Sequence, residues 1–362
     1  MHSKRLISVG LAAVMSLAIA IPAFAQNNEN KDYQAIQDER DQRKQRDLLE
    51  AFLKNYPNSQ HRPDYDIQLI TLYYGNKDWA QMIKLADNFV QQQGTADAKA
   101  KTNLFTLAME GARQLGNAAK FNEYADRALT ADPNNISVLM TMSRNLSENP
   151  PADPAARTAA LDKALGFAQR AQKAPKPDKI SDAEWQSTQN RVHGIVGVIY
   201  FNQGKWPEAS DELAEFLKTN PTDGANQYRY GAAMFSQLQT TLANLQALNN
   251  DAQLAQKAER DLGPYIDRMN ARTKEFETQR DITIDAMAKA LAIGGPFADS
   301  ATKIITPLYN QKNGSVDGLQ PYIASKKAEL AALAPLPAPV VGGAKSGATP
   351  AAGPASGRTN GR

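Results

Sequence analysis

Between about residues 26 and 333, apolar side chains recur at intervals of three and four, and apolar-polar alternation of period two is scarce. That spacing puts the apolar residues on one stripe of a helix, so the pattern predicts helices and no sheet. The periodic stretches are interrupted by short clusters: Tyr56-Pro57-Asn58-Ser59, Tyr74-Gly75-Asn76-Lys77, Leu115-Gly116-Asn117, Asp132-Pro133-Asn134-Asn135, Asn202-Gln203-Gly204-Lys205 and Asn220-Pro221-Thr222-Asp223. Gly and Pro end a helix, and Asn and Asp cap the next one, so each cluster joins two helices. The expected fold class is all-α, a chain of helical hairpins, and breaks this regular call for a search for repeats.

The stretch GVIYFNQGKWPEASDELAEFLKTNP, residues 197–221, supplies the clearest unit. Gly197 and Ala209 are small where two helices would cross closely, and Tyr200 is large enough to fill the space beside them. Gly204 permits a tight turn, and Pro221 ends the second helix. Counted from Asn190 to Asp223, these residues stand at places 8, 20, 11, 15 and 32 of a 34-residue ruler, and in this the unit resembles the tetratricopeptide repeat. Leu213 and Phe216 depart from the family pattern, which has an aromatic residue and an alanine at those places. Weaker units lie at 63–96, 102–135 and 136–174, the last with its second helix delayed by Pro150-Pro151-Ala152-Asp153-Pro154; another starts at 224 and keeps the ruler to about 236. The resemblance implies a right-handed α-solenoid over 26–236, followed at 237–333 by longer, divergent helices that cap the stack. In that region Leu262-Gly263-Pro264 and Ile293-Gly294-Gly295-Pro296 break helices, and Ser315 is the expected cap of the last one.

The ends read differently. Residues 1–25 carry Lys4 and Arg5, an apolar run from Leu6 to Ile21 and a small-x-small ending at Ala23-Phe24-Ala25, the pattern of a secretory leader cut before Gln26. An uncleaved membrane anchor is the competing reading. Export to a bacterial periplasm or beyond is the expectation, with no membrane span left after cleavage. From Ala334 to Arg362 the chain is rich in Pro, Ala, Gly and Ser and lacks aromatic residues, a composition that predicts a disordered tail, either plain or tethering.

Charge and chemistry narrow the function. The 41 basic and 38 acidic side chains are well mixed, which argues against nucleic acid as a partner. Cysteine is absent, so disulfides, thiolate metal sites and thiol nucleophiles are excluded. Outside the leader the histidines are His61 and His193, too few for a zinc site, and His193 is expected in the core. Asp211, Glu212 and Glu215 share a helix and read as solvated surface. No phosphate loop or nucleophilic serine motif occurs, and neither metal nor cofactor is expected.

The resemblance implies a non-catalytic scaffold whose concave face, built from the first helices, holds a peptide or a partner helix. Carried over position by position, the groove would be lined by Asn103, Thr106, Glu110, Arg113, Met140, Arg144, Arg191, Val198, Phe201, Asn202, Tyr228 and Phe235. Tyr200 would then pack inside its unit while Phe201, Tyr228 and Phe235 offer an aromatic surface. The Lys and Asn that chaperone-binding members use to hold a terminal carboxylate are not present at the matching places, which hold Thr106 with Glu110 and Gly194 with Val198. The alternative is an envelope enzyme cutting glycan, built on the same scaffold, which would need an isolated buried carboxylate in a cleft.

Overall fold

The computed structural model describes residues 21–91, 98–178 and 180–333. The tail expected over 334–362 lies outside the described residues, as does the leader apart from 21–25. Within them the chain forms α1 Ile21–Asp38, α2 Gln42–Asn55, α3 Arg62–Gly75, α4 Trp79–Gln91, α5 Ala98–Gln114, α6 Ala118–Ala131 and α7 Ile136–Glu148. It continues with α8 Pro154–Lys173, α9 Asp182–Asn202, α10 Trp206–Thr219, α11 Gly224–Lys257, α12 Gly263–Ile293, α13 Ala298–Asn313 and α14 Leu319–Ala331. From α1 to α13 neighbours in sequence pack as antiparallel hairpins, α14 returns to α12, and first helices also touch across units: α3 meets α5, α7 meets α9, and α9 meets α11. This is an all-α solenoid, with no strand among the described residues.

Four of the hairpin turns share one mechanism. Lys77, Gly116, Gly204 and Glu259 have positive φ, between 54° and 72°. In each turn the next backbone N–H reaches back to a carbonyl near the helix end: Asp78 to Tyr73 (2.9 Å), Asn117 to Ala112 (2.9 Å), Lys205 to Tyr200 (3.0 Å) and Arg260 to Ala255 (3.0 Å). A left-handed residue followed by this backward bond satisfies carbonyls that the helix leaves open, and reverses the chain within three residues. Asp41, Asn117, Asn135, Asp153, Ser181 and Asp223 cap the helices that follow them, each side chain accepting from a first-turn N–H. Ser315 does not cap the last helix. Its Oγ accepts from Asp317 N (3.1 Å) in the turn before, and α14 starts behind Gly318.

Two apolar cores follow one another. The first runs from Ile36 through Phe52, Ile70, Met82, Leu104, Tyr124, Leu139 and Leu161 to Ile199, collecting side chains from α1 to α9. The second joins Leu238, Phe276, Ile284, Met287, Ile305 and Leu319 from α11 to α14. Between them α9 and α10 pack closely: Ala209, Leu213, Phe216 and Leu217 are buried, and the side chain seated over Gly197 is Leu213.

The region after residue 236 contains no new start. α11 runs unbroken through that position because neither Gly nor Pro occurs between Gly231 and Gly263, and it pairs with α12. Along α11 the residues Leu238, Thr241, Leu245, Leu248, Ala252 and Ala255 alternate spacings of three and four, as do Tyr265, Met269, Arg272, Phe276, Gln279 and Thr283 on α12, all of them at least half-buried except Arg272. That is the seam of a two-helix coiled coil. Past Leu245 the flanking positions are nearly all exposed, so the pair continues as an arm held by its own seam.

Candidate functional site

The first helix of the best repeat unit is longer than its ruler. α9 starts at Asp182, eight residues before Asn190, because Ser181 and Glu184 form a reciprocal cap: Glu184 N donates to Ser181 Oγ (3.2 Å) and Ser181 N to Glu184 Oε2 (2.9 Å). The second helix, α10, stops beside Asn190. The buried Asn190 side chain donates to the Phe216 carbonyl (3.1 Å) and to Thr219 Oγ1, satisfying the end of α10. The first turns of α9 therefore stand beyond α10, against the ends of α7 and α11.

A cleft of about 820 Å³ opens there, lined from all four helices. α7 gives Arg144, Ser147 and Glu148, and α9 gives one face from Ala183 through Ser187, Arg191 and Ile195 to Val198. α10 gives Phe216, Thr219 and Asn220, and the start of α11 gives Ala225, Asn226 and Arg229, with Asp223 before it. Ile195, Val198 and Phe216 are buried and make an apolar floor. The charges are uneven, with three arginines against two carboxylates.

Both carboxylates already have work. Asp223 caps α11, accepting from Asn226 N and Nδ2 (3.0 Å each), and Glu148 lies 3.8 Å from Arg144 Nε. The guanidiniums of Arg191 and Arg229 are less well matched. Arg229 donates through Nη1 to Asn226 Oδ1 (2.9 Å) and lies 5.7 Å from the Phe297 ring centre, with no carboxylate within 4 Å among the described residues. Burial pushes its pKa below the ordinary arginine value, opposed by the more distant Asp223 and Glu148. Arg191 makes no hydrogen bond and no ion pair with any described residue.

Of the twelve residues expected in a groove, Arg144, Arg191 and Val198 come together here. The others are elsewhere. Asn202 is on the same face of α9, but its Nδ2 donates to the Ser147 carbonyl (2.8 Å) and ties α9 to α7. Glu110 and Arg113 pair with each other (2.6 Å), Thr106 accepts from Asn135 (3.3 Å), Asn103 is exposed, and Met140 packs against the first core. The three aromatic residues expected in the groove each have a partner within the fold. Phe201 meets Trp206 edge to face with centres 5.4 Å apart, Tyr228 stacks on Phe297 at 4.7 Å and 3°, and Phe235 packs against the second core. Tyr228 and Phe235 are engaged because the chain from Phe297 into α13 folds back over α11, which repeat spacing does not announce, and Phe201 is met by the second helix of its own unit. Tyr200, half-buried, packs against the first core, while Phe201 beside it turns to Trp206.

His193 is also corrected. It lies on the opposite side of α9, 34% exposed, with Nδ1 2.6 Å from Glu212 Oε2, so a second-helix carboxylate and not the core receives it. The buried carboxylate that an enzyme would need exists as Asp66, 1% exposed and 3.4 Å from Arg62 Nε, but it lines neither this cleft nor a smaller one between α11 and α12. No group of three His, Asp or Glu able to hold a metal occurs among the described residues, and no described helix is long and apolar enough to cross a membrane. Missed from sequence were Asn190, Asn226 and Arg229; the Ser181-x-x-Glu184 box was the available signal that α9 begins early.

No protein-family model matches the sequence, and no curated protein does. Among solved structures, a tetratricopeptide repeat protein from Parabacteroides merdae ATCC 43184 is similar at 11% identity and a TM-score of 0.40, over 79% of this chain and 99% of that one. A likeness of that size adds nothing to the fold, which rests on the helix pairing itself.

Proposed function

We propose that this chain is a non-catalytic interaction scaffold of the tetratricopeptide type, working in the bacterial cell envelope and binding a peptide or partner helix in the cleft between α7, α9, α10 and α11. The observation that carries this reading is the overhang of α9: first helices stand side by side, and the early start of α9 leaves a polar-rimmed, apolar-floored space that no described segment fills. Its volume lies within the ordinary range of ligand sites. The leader pattern of residues 1–25 supports the envelope setting, and an intact mass beginning at Gln26 in exported material tests that part.

A glycan-cutting reading would ask for a carboxylate free to donate or accept a proton in the cleft. Glu148 and Asp223 are each tied to a neighbour, which favours binding over hydrolysis. The test is a photo-crosslinking residue at Ser187, exposed on the cleft wall, against the same residue at Asp211, exposed on α10 outside it. A discrete protein adduct from Ser187 and none from Asp211 is expected in living cells. Equal labelling at both positions, or none, would sink the assignment of the cleft.

A further inference from the structure

Resting on that reading of the cleft, we propose that its ligand is an acidic peptide segment, one carboxylate received by Arg191 and Arg229 while an adjoining apolar side chain rests on Ile195, Val198 and Phe216. The argument begins with donors. A guanidinium carries five N–H groups in a fixed fork, suited to a carboxylate. Arg229 uses one bond, to Asn226, and Arg191 none with a described residue. The cleft's own acids stand off: Asp223 caps α11, Glu148 lies 3.8 Å from Arg144 in an exposed pair, and neither forms an ion pair with Arg191 or Arg229.

Half-buried positive charge without a counter-ion is unfavourable, and the polar partners of Arg229, an amide oxygen and an aromatic face, compensate it only in part. An incoming carboxylate completes the set. Arg229 is also held in place on both sides, so its ordering is already met before a ligand arrives. The floor argues against a bare ion as the whole ligand, because buried apolar side chains lining about 820 Å³ offer nothing to a small anion and much to a Leu, Ile or Phe. The near-neutral overall charge argues against a polyanion, which needs a field extending well beyond one cleft.

A displayed random-peptide library, selected on the whole protein, tests the proposal. The expected result is enrichment of Asp or Glu next to a large apolar residue, with affinity falling at least about tenfold in Arg191→Gln and in Arg229→Gln, and falling less in the corresponding Lys variants. Arg191→Gln removes no hydrogen bond or ion pair with a described residue and keeps most of the stem, so with its melting midpoint checked it alone can decide. Recovered peptides without acidic enrichment, peptides held equally by Arg191→Gln, or no recovered peptides overturn the proposal. A Ser187 crosslink that persists beside such a result leaves the scaffold reading standing, while loss of that crosslink removes the scaffold reading itself.

Discussion

Leu213 Cγ lies 2.6 Å from the point where a Cβ on Gly197 would stand, and Phe216 Cδ2 lies 2.7 Å from the corresponding point on Gly194. Two glycines three residues apart on α9 receive two large side chains three residues apart on α10. Bulk that the repeat pattern places differently is here set over a pair of absent side chains, and the two backbones come close as a result.

Gly197→Ala and Gly194→Ala should each overpack this crossing and lower stability by roughly 1–3 kcal/mol. Gly166→Ala is the control: it sits within α8 with nothing within 4 Å of an added Cβ, and should gain about 0.5–1 kcal/mol from helix propensity. Denaturant midpoints of the three variants decide it. Equal shifts would show that propensity and not crowding governs both glycines.

Lys77 holds the left-handed turn position that Gly116 and Gly204 hold in their own hairpins. A side chain there is strained by about 1–2 kcal/mol, part of which glycine returns as unfolded-state entropy. Lys77→Gly should therefore raise the melting midpoint, by about 0.5–1 kcal/mol of stability. The mirror change, Gly204→Ala, should lower it, and a fall in both variants would mean that the Lys77 side chain makes a contact worth more than the strain.

Asp66 gives the chain a pH dependence. Burial pushes its pKa up from 3.8 to about 6, against the pull of Arg62. The folded state thus binds this proton more tightly than the unfolded one. Its stabilising effect is complete below about pH 3.8 and is lost as pH rises through about 6, a swing of at most about 3 kcal/mol. Wild type should lose stability relative to Asp66→Asn between pH 4 and 7. Parallel urea midpoints across that range would show instead that Asp66 keeps an ordinary carboxyl.

Tyr228 and Phe297, stacked nearly parallel with centres 4.7 Å apart, fasten the end of the α12–α13 connection onto α11. A double-mutant cycle of Tyr228→Ala and Phe297→Ala should give a coupling of about 0.5–1.5 kcal/mol. Strict additivity would mean that the rings only fill space.

Local punctuation made much of this fold legible. Gly116, Gly204 and Pro221 mark turns and ends whose chemistry is contained in a few neighbouring residues. The same punctuation marked the turn at Lys77 but not the one at Glu259, and at both the backbone adopts a glycine-like angle without glycine. Position-by-position transfer named Arg144, Arg191 and Val198, which line one cleft because each sits on a first helix and first helices stand side by side. It missed Arg229 and did not foresee the partner of Tyr228, one residue apart, because the face α11 offers depends on the chain at Phe297 returning over it. That contact joins residues about 70 positions apart, at Tyr228 and Phe297, and helical period carries no information about it.

One helix, α11, holds a cleft arginine in its first turns and ends as the outer limb of the coiled-coil arm. Its 34 residues span about 51 Å at 1.5 Å each. With no internal proline or left-handed residue, it has no joint at which a change of direction could be absorbed. The molecule therefore contains a lever whose short end is the cleft: turning the first residues of α11 by about 5° sweeps the arm's tip by about 4 Å.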